Sequence, residues 1–270
     1  MSTNSVTTQA GNGEGQINYV AVRNGLLNAL TVSSGAVDAI SFLALGKVFT
    51  AFMTGNIAFL GMAIANTTGS TIYGVAPPRV ISVLAAMAAF AVGIYLATKI
   101  IRTSRQPATH GEERSNVVVW PQRTTFALSL SLLPHLGFVL TWFATGAQPG
   151  DSVIPVLLAM WALAMGMQSA AVRNLEVPGI FTTAATATFI FLFGAWANRR
   201  LTRDERFRMR GVLVSLAIGA TVGGLLLIHA PIYAPVLPFV ITIGVVATAA
   251  TVFRHRAETR KLRVEGPLAV

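Results

Sequence analysis

The chain has 270 residues, of which 53% are hydrophobic and 11% charged, with a mean hydropathy of +0.63 and a formal net charge of +10. A soluble domain carries roughly a quarter charged residues to face water, so this composition excludes a soluble globule and leaves room for roughly six to eight membrane helices of about 20 apolar residues each. Cys is absent, which excludes disulfides, thiol catalysis and thiolate metal sites, and the basic residues lie between apolar runs with no zinc-finger, helix-turn-helix or RNA-binding signature, so they read as orienting loop charge and not as a nucleic-acid surface.

Residues 1–19 are polar, rich in Ser, Thr, Asn and Gly, and lack the basic stretch of a signal peptide. They are expected to form a disordered cytoplasmic tail. Eight apolar stretches follow, at about 25–46, 48–65, 80–101, 124–145, 153–172, 179–197, 211–229 and 232–253. The chain closes with a basic tail, 255–270.

Eight stretches do not imply eight crossings. Of the 20 Lys and Arg, five lie in 99–123, six in 199–210 and five in the C-terminal tail, whereas 66–78, 143–152 and 230–238 hold none. Cytoplasmic loops carry the excess of Lys and Arg, so the three clusters belong on one side. Three apolar stretches separate the first two clusters, and three crossings would put them on opposite sides. One must fail to cross, and the same argument applies between Arg23 and 99–123. The shorter, Thr- and Gly-rich stretches 48–65 and 179–197 are the candidates. The expected architecture is an all-α integral membrane protein with six crossings plus two re-entrant or broken segments. Both termini then face the cytoplasm of a bacterial inner membrane, with Lys47 and Arg79 outside against the trend.

Smaller signals accompany this plan. Trp120, Trp142 and Trp196 fall at segment ends, where an aromatic belt is expected. Ala85, Ala89, Gly93 and Ala97 recur every fourth residue, as do Ser215, Gly219 and Gly223, a spacing that lets helix backbones approach closely.

The two anomalous stretches resemble each other. The first half reads Gly35-Ala-Val-Asp38, then Phe49-Thr-Ala-Phe-Met-Thr54-Gly55-Asn56; the second reads Gly166-Met-Gln168, then Thr182-Thr183-Ala-Ala-Thr186-Ala187-Thr188. Asp38 precedes Thr54 by 16 residues and Gln168 precedes Thr186 by 18. This suggests two inverted repeats, 20–146 and 147–254, a recurrent plan of secondary transporters with discontinuous helices at the midplane. The run from Asp38 to Gly61 also resembles the signature of the YoaK-like bacterial membrane proteins, a domain of unknown function. The second run is similar to that family's second motif, with Ala187 and Thr188 where Gly-Asn might recur. The resemblance implies a multi-pass inner-membrane protein, with transport as the suggested role, and supplies no established substrate or mechanism.

Asp38 is the only acidic residue with apolar sequence on both sides. A carboxylate there costs about 2.5–3.5 kcal/mol on insertion scales, so it is a candidate for coupling or substrate contact, with a helix-tying hydrogen bonder as the plainer alternative. Gln168 takes the matching place and cannot titrate. Thr54, Gly55, Asn56, Thr183, Thr186 and Thr188 are candidate lining of the breaks, or else helix caps. His135, next to Pro134, suits a proton relay or an interhelical hydrogen bond. No nucleophile elbow, zincin, nucleotide loop or dinucleotide turn occurs, so neither an enzyme nor a cofactor is expected. The expected partners are the lipid bilayer and a small molecule or ion. The function read from the sequence is a secondary transporter or channel-like permease for a small solute, with its site between the two broken segments. The alternative is a non-transporting scaffold that binds lipid or a partner.

Overall fold

The computed structural model describes residues 18–66, 77–102, 119–177, 185–198 and 202–264, with side chains to 194 and from 202 to 253 in the last two stretches. Apolar runs in a bilayer must satisfy every backbone group internally, which leaves the helix as the economical solution. Six described helices are long and apolar enough to cross: α1 (Tyr19–Ala44), α3 (Val80–Arg102), α4 (Gln122–Ala144), α5 (Ile154–Arg173), α7 (Arg203–His229) and α8 (Val236–Val264). Two are too short, α2 (Met53–Ala65) and α6 (Ala185–Asn198). The expected division into six spans and two short segments therefore stands. The N-terminal tail and residues 265–270 lie outside the described residues.

Helix ends show which face each span starts from. Tyr19 and Trp120 both pack on Phe253, with ring centroids 6.0 and 5.6 Å apart, so α1 and α4 begin where α8 ends. Arg123 Nη1 donates to Ile100 O at 3.2 Å, and Asn174 Nδ2 donates to Thr124 Oγ1 at 3.4 Å, so α3 and α5 end on that face too. On the opposite face Trp142 Nε1 donates to Pro231 O at 3.0 Å, joining the end of α4 to the turn between α7 and α8. The end of α3, the starts of α4 and α7 and the end of α8, which carry the described basic residues of the three clusters, thus share one face. Arg79, on the other face, forms an ion pair with Asp151 at 2.8 Å, which neutralises one of the two exceptions to the charge rule.

Each short helix joins two spans whose adjoining ends share a face. α2 lies between the end of α1 and the start of α3, and packs on α3; α6 lies between the end of α5 and the start of α7, and packs on α7. Such a segment leaves and rejoins one side of the bundle.

Two parallel pairs, α1 with α7 and α3 with α5, are the tightest in the bundle. Glycine sets both crossings. A methyl group on Gly35 would strike Leu216 O and lie 2.9 Å from Ala220 N, and one on Gly219 would strike Val32 O. In the second pair Gly93 faces Leu163 O and Gly166 faces Phe90 O. Small residues at these points bring main chains into contact, where dispersion and close packing replace the hydrophobic drive that lipid removes. α4 and α8 complete the interior, packing on each other and on α5 and α1 respectively. Large apolar side chains such as Ile81, Leu133, Leu140 and Ile228 face outward, as contact with a bilayer requires.

The aromatic-belt expectation needs correction. Trp120 and Trp142 sit at helix ends but are buried. Trp120 stacks on Phe253 and donates to Thr125 Oγ1 at 2.9 Å, so these indoles fasten helix ends to one another. The side chain of Trp196 lies outside the described residues.

Candidate functional site

The first motif is built around a loop. α1 stops at Ala44, and Gly46 (φ 83°) and Lys47 (φ 61°) turn the chain back through the left-handed region that glycine adopts without strain. Residues 48–52 then run without helical bonds, although Val48, Thr50 and Ala51 are buried. Backbone buried in a bilayer needs partners, and two side chains supply them. Asp38 Oδ1 accepts from Thr50 N at 2.9 Å and Ala51 N at 2.8 Å, with Thr50 Oγ1 at 3.5 Å. Asn56 Oδ1 accepts from Phe49 N at 3.0 Å while its Nδ2 donates to Phe49 O at 2.6 Å, as a second peptide strand would. Gly55 is required beside them, because a Cβ there would lie 2.8 Å from the Phe52 ring and 3.0 Å from that of Phe49. Phe42, Phe49, Phe52 and Phe59 close over this point.

The motif residues thus have separate tasks. Asp38 and Asn56 hold a loop, Gly55 admits aromatic rings, and Thr54 is exposed on the first turn of α2. The interruption of the helix lies at 45–52, so Thr54, Gly55 and Asn56, expected to line the break, sit in the first turn of α2 just after it. In the second half Thr183 lies outside the described residues. Thr186 is exposed, and Thr188 is fully buried with an Oγ1 that has no hydrogen-bond partner among the described residues. Asn56 and Thr188 are each the fourth residue of their short helix.

The remaining two candidates, His135 and Gln168, meet elsewhere. Phe138 of α4 stacks face to face on Trp161 of α5, centroids 3.5 Å apart. With the Thr124–Asn174 contact this makes α4 and α5 antiparallel and places Ser131 level with Gln168, each two turns from the stacked rings. Side chains on a helix lean toward its own N-terminus. In antiparallel neighbours His135 therefore leans down toward Ser131 and Gln168 leans up toward Ala164, so their heads reach the same level. The bonds agree: His135 Nδ1 lies 3.0 Å from Ser131 O, and Gln168 Nε2 donates to Leu30 O of α1 at 3.2 Å. Ser34 is one turn beyond Leu30 on α1.

This layer crosses the middle of α1, α4 and α5, and all three residues are shut off: Ser34 and His135 are 0% exposed and Gln168 1%. Yet Ser34 Oγ, His135 Nε2, Gln168 Oε1 and, two turns along α5, Trp161 Nε1 have no hydrogen-bond partner among the described residues. Each such atom costs about 1–3 kcal/mol in a buried site. Beside them Ser33 Oγ donates to Pro238 O at 3.2 Å and Thr242 Oγ1 to the same carbonyl at 2.8 Å, extending the polar layer to α8. Ser34 and Trp161 were not foreseen from the sequence. A helical serine ordinarily bonds the carbonyl four residues back, and α1 carries several other polar residues, among them Asn28, Thr31, Ser33 and Ser41, so nothing in the sequence set Ser34 apart. Among the described residues no three His, Asp or Glu side chains are placed to hold a metal ion.

Six spans on one polar axis, with two short helices that rejoin their own side, define a polytopic α-helical membrane protein. The chain belongs to the family described as "Protein of unknown function (DUF1275)", which matches residues 26–248. It is 30% identical over 200 residues to the "UPF0700 transmembrane protein YoaK" of Bacillus subtilis (strain 168), an overlap of 73% of this chain and 79% of that protein. No solved structure matches it. The YoaK-like resemblance carried by Asp38 to Gly61 is thereby confirmed.

Proposed function

We propose that the protein is a permease for a small solute, whose binding site is the midplane layer of Ser34, His135 and Gln168. One observation carries the reading: fully buried polar atoms on three different spans, at about the same level of the bundle, have no hydrogen-bond partner among the described residues. A scaffold gains nothing from that arrangement, since apolar residues of similar shape pack at lower cost. A solute that meets those atoms while crossing gives them a use.

The packing plan supports the same reading. Exchanging α1–α4 for α5–α8 turns the α1–α7 pair into α5–α3, α1–α8 into α5–α4 and α2–α3 into α6–α7. The two halves run in opposite directions through the bundle. We therefore read 20–146 and 147–254 as inverted repeats that rock about the central layer, the plan on which alternating access is built. Gly35 and Gly166 occupy matching crossings, so Asp38 corresponds to Ser169 and Gln168 to Val37, one position from the match drawn from sequence. In this reading Asp38 and Asn56 position the loop ahead of α2, and the solute meets His135 and Gln168. The face that gathers the basic clusters is cytoplasmic by the positive-inside rule, which puts both termini inside.

Since the chain has no Cys, a single thiol tests the proposal. In membranes, the Ser34→Cys variant reacts with a small water-soluble methanethiosulfonate if the layer opens to water. A thiol that stays unreactive in a folded protein under all conditions supports a dry scaffold.

A further inference from the structure

The chemistry of the unpartnered atoms narrows the solute, an inference that rests on the permease reading above. The Ser131 carbonyl only accepts, so the His135 ring must donate to it through Nδ1, and in the neutral imidazole Nε2 is left as a bare acceptor. Gln168 is oriented by the same logic. Its Nε2 donates to Leu30 O, and a flipped amide would set two oxygens against each other, so Oε1 is the second bare acceptor. Ser34 adds a hydroxyl that can give or take a proton in a hydrogen bond, and Trp161 carries an unpartnered N–H two turns along α5 from Gln168. The set is two acceptors and one hydroxyl.

Charge is missing from the layer. The stretches 27–37, 127–139, 157–172 and 238–249, which form the middle of α1, α4, α5 and α8, contain no Asp, Glu, Lys or Arg. An ion placed there loses its hydration with no countercharge to replace it. Asp38 is the nearest acid, one turn beyond Ser34, and its Oδ1 is already occupied by Thr50 N and Ala51 N. A carboxylate at that distance repels anions further.

We infer that the site takes an uncharged small solute bearing at least two hydrogen-bond donors, of the polyol or urea type, which donates to His135 Nε2 and Gln168 Oε1 together and exchanges a hydrogen bond with Ser34. A solute with acceptors only leaves both acceptors bare and adds its own, so the site rejects it. This is the asymmetry by which buried polar sites discriminate strongly against partners that lack the matching group.

Stopped-flow light scattering on proteoliposomes holding the full chain tests this with glycerol, urea, trimethylamine N-oxide and potassium chloride as osmolytes. Glycerol or urea is expected to cross faster than in protein-free vesicles, while trimethylamine N-oxide, an acceptor without donors, and potassium chloride stay at the protein-free rate. Gln168→Met keeps the shape of the side chain and removes its amide, and is expected to lower the protein-dependent rate about tenfold, the weight of one lost hydrogen bond at its upper range. Ser34→Ala, the smallest change at the site, gives a second reading if Gln168→Met fails to fold. Acceleration of trimethylamine N-oxide or potassium chloride alone overturns the solute class and leaves the permease standing. Acceleration of none of the four overturns the solute class and, with it, the permease reading for these solutes. Unchanged glycerol or urea rates in both variants overturn the placement of the site.

Discussion

At the scale of single residues, an intramembrane acid need not be a coupling group. Asp38 answers the demand of two backbone N–H groups that a turn has exposed, and Asn56 answers that of Phe49. The consequence for substitution is specific. Asp38→Asn keeps an acceptor at Oδ1 and is expected to cost about 1 kcal/mol, the gap between charged and neutral hydrogen bonds. Asp38→Ala strands both N–H groups and should cost about 2–5 kcal/mol. Thermal unfolding in detergent checks both, and an Ala variant as stable as wild type would remove the anchor role. Asp38 stands out in the sequence because a lone carboxylate in apolar surroundings is conspicuous. Its bonding partners were not legible, since Thr50 and Ala51 contribute main-chain atoms that no side-chain pattern reports.

Elements were read more securely than sites, and for a physical reason. A span is written as a long apolar run with charge at one end, and both signals survive without knowledge of tertiary contacts. α3, α4 and α5 accordingly begin and end within two residues of their apolar stretches. α1, α7 and α8 run past their apolar stretches into polar sequence: α7 was placed from near 211, whereas the helix starts at Arg203 behind a capping box of Thr202 and Glu205. The arginines of 203–210 read as loop charge, which hid the helix start that Thr202 and Glu205 cap. The small-residue spacing in α3 and α7 announced close crossings correctly, without naming the partner helices. Those partners make a test available. Gly166→Ala and Gly219→Ala push a methyl group into the main chain of Phe90 and Val32, and each should cost about 1–3 kcal/mol. Gly61→Ala meets nothing within 4 Å and should be neutral or gain up to about 1 kcal/mol from helix propensity. Equal melting temperatures for Gly166→Ala and Gly61→Ala would mean that the α3–α5 crossing is looser than described.

At the scale of the whole molecule, three basic clusters led to six crossings, and bonds between helix ends place those clusters on one face. The central layer could not be read that way. It exists only because α1, α4 and α5 bring Ser34, His135 and Gln168 to one level, from positions more than 130 residues apart at the extremes. Function in this account belongs to that convergence, and the loop motif supports it from the side. The most direct test measures glycerol and urea flux through the Ser34→Cys variant in proteoliposomes before and after a methanethiosulfonate reagent has modified the thiol. If solute passes through the layer, the modified protein falls to the rate of protein-free vesicles. Complete modification with undiminished flux would contradict the account, because the solute would then be crossing somewhere else.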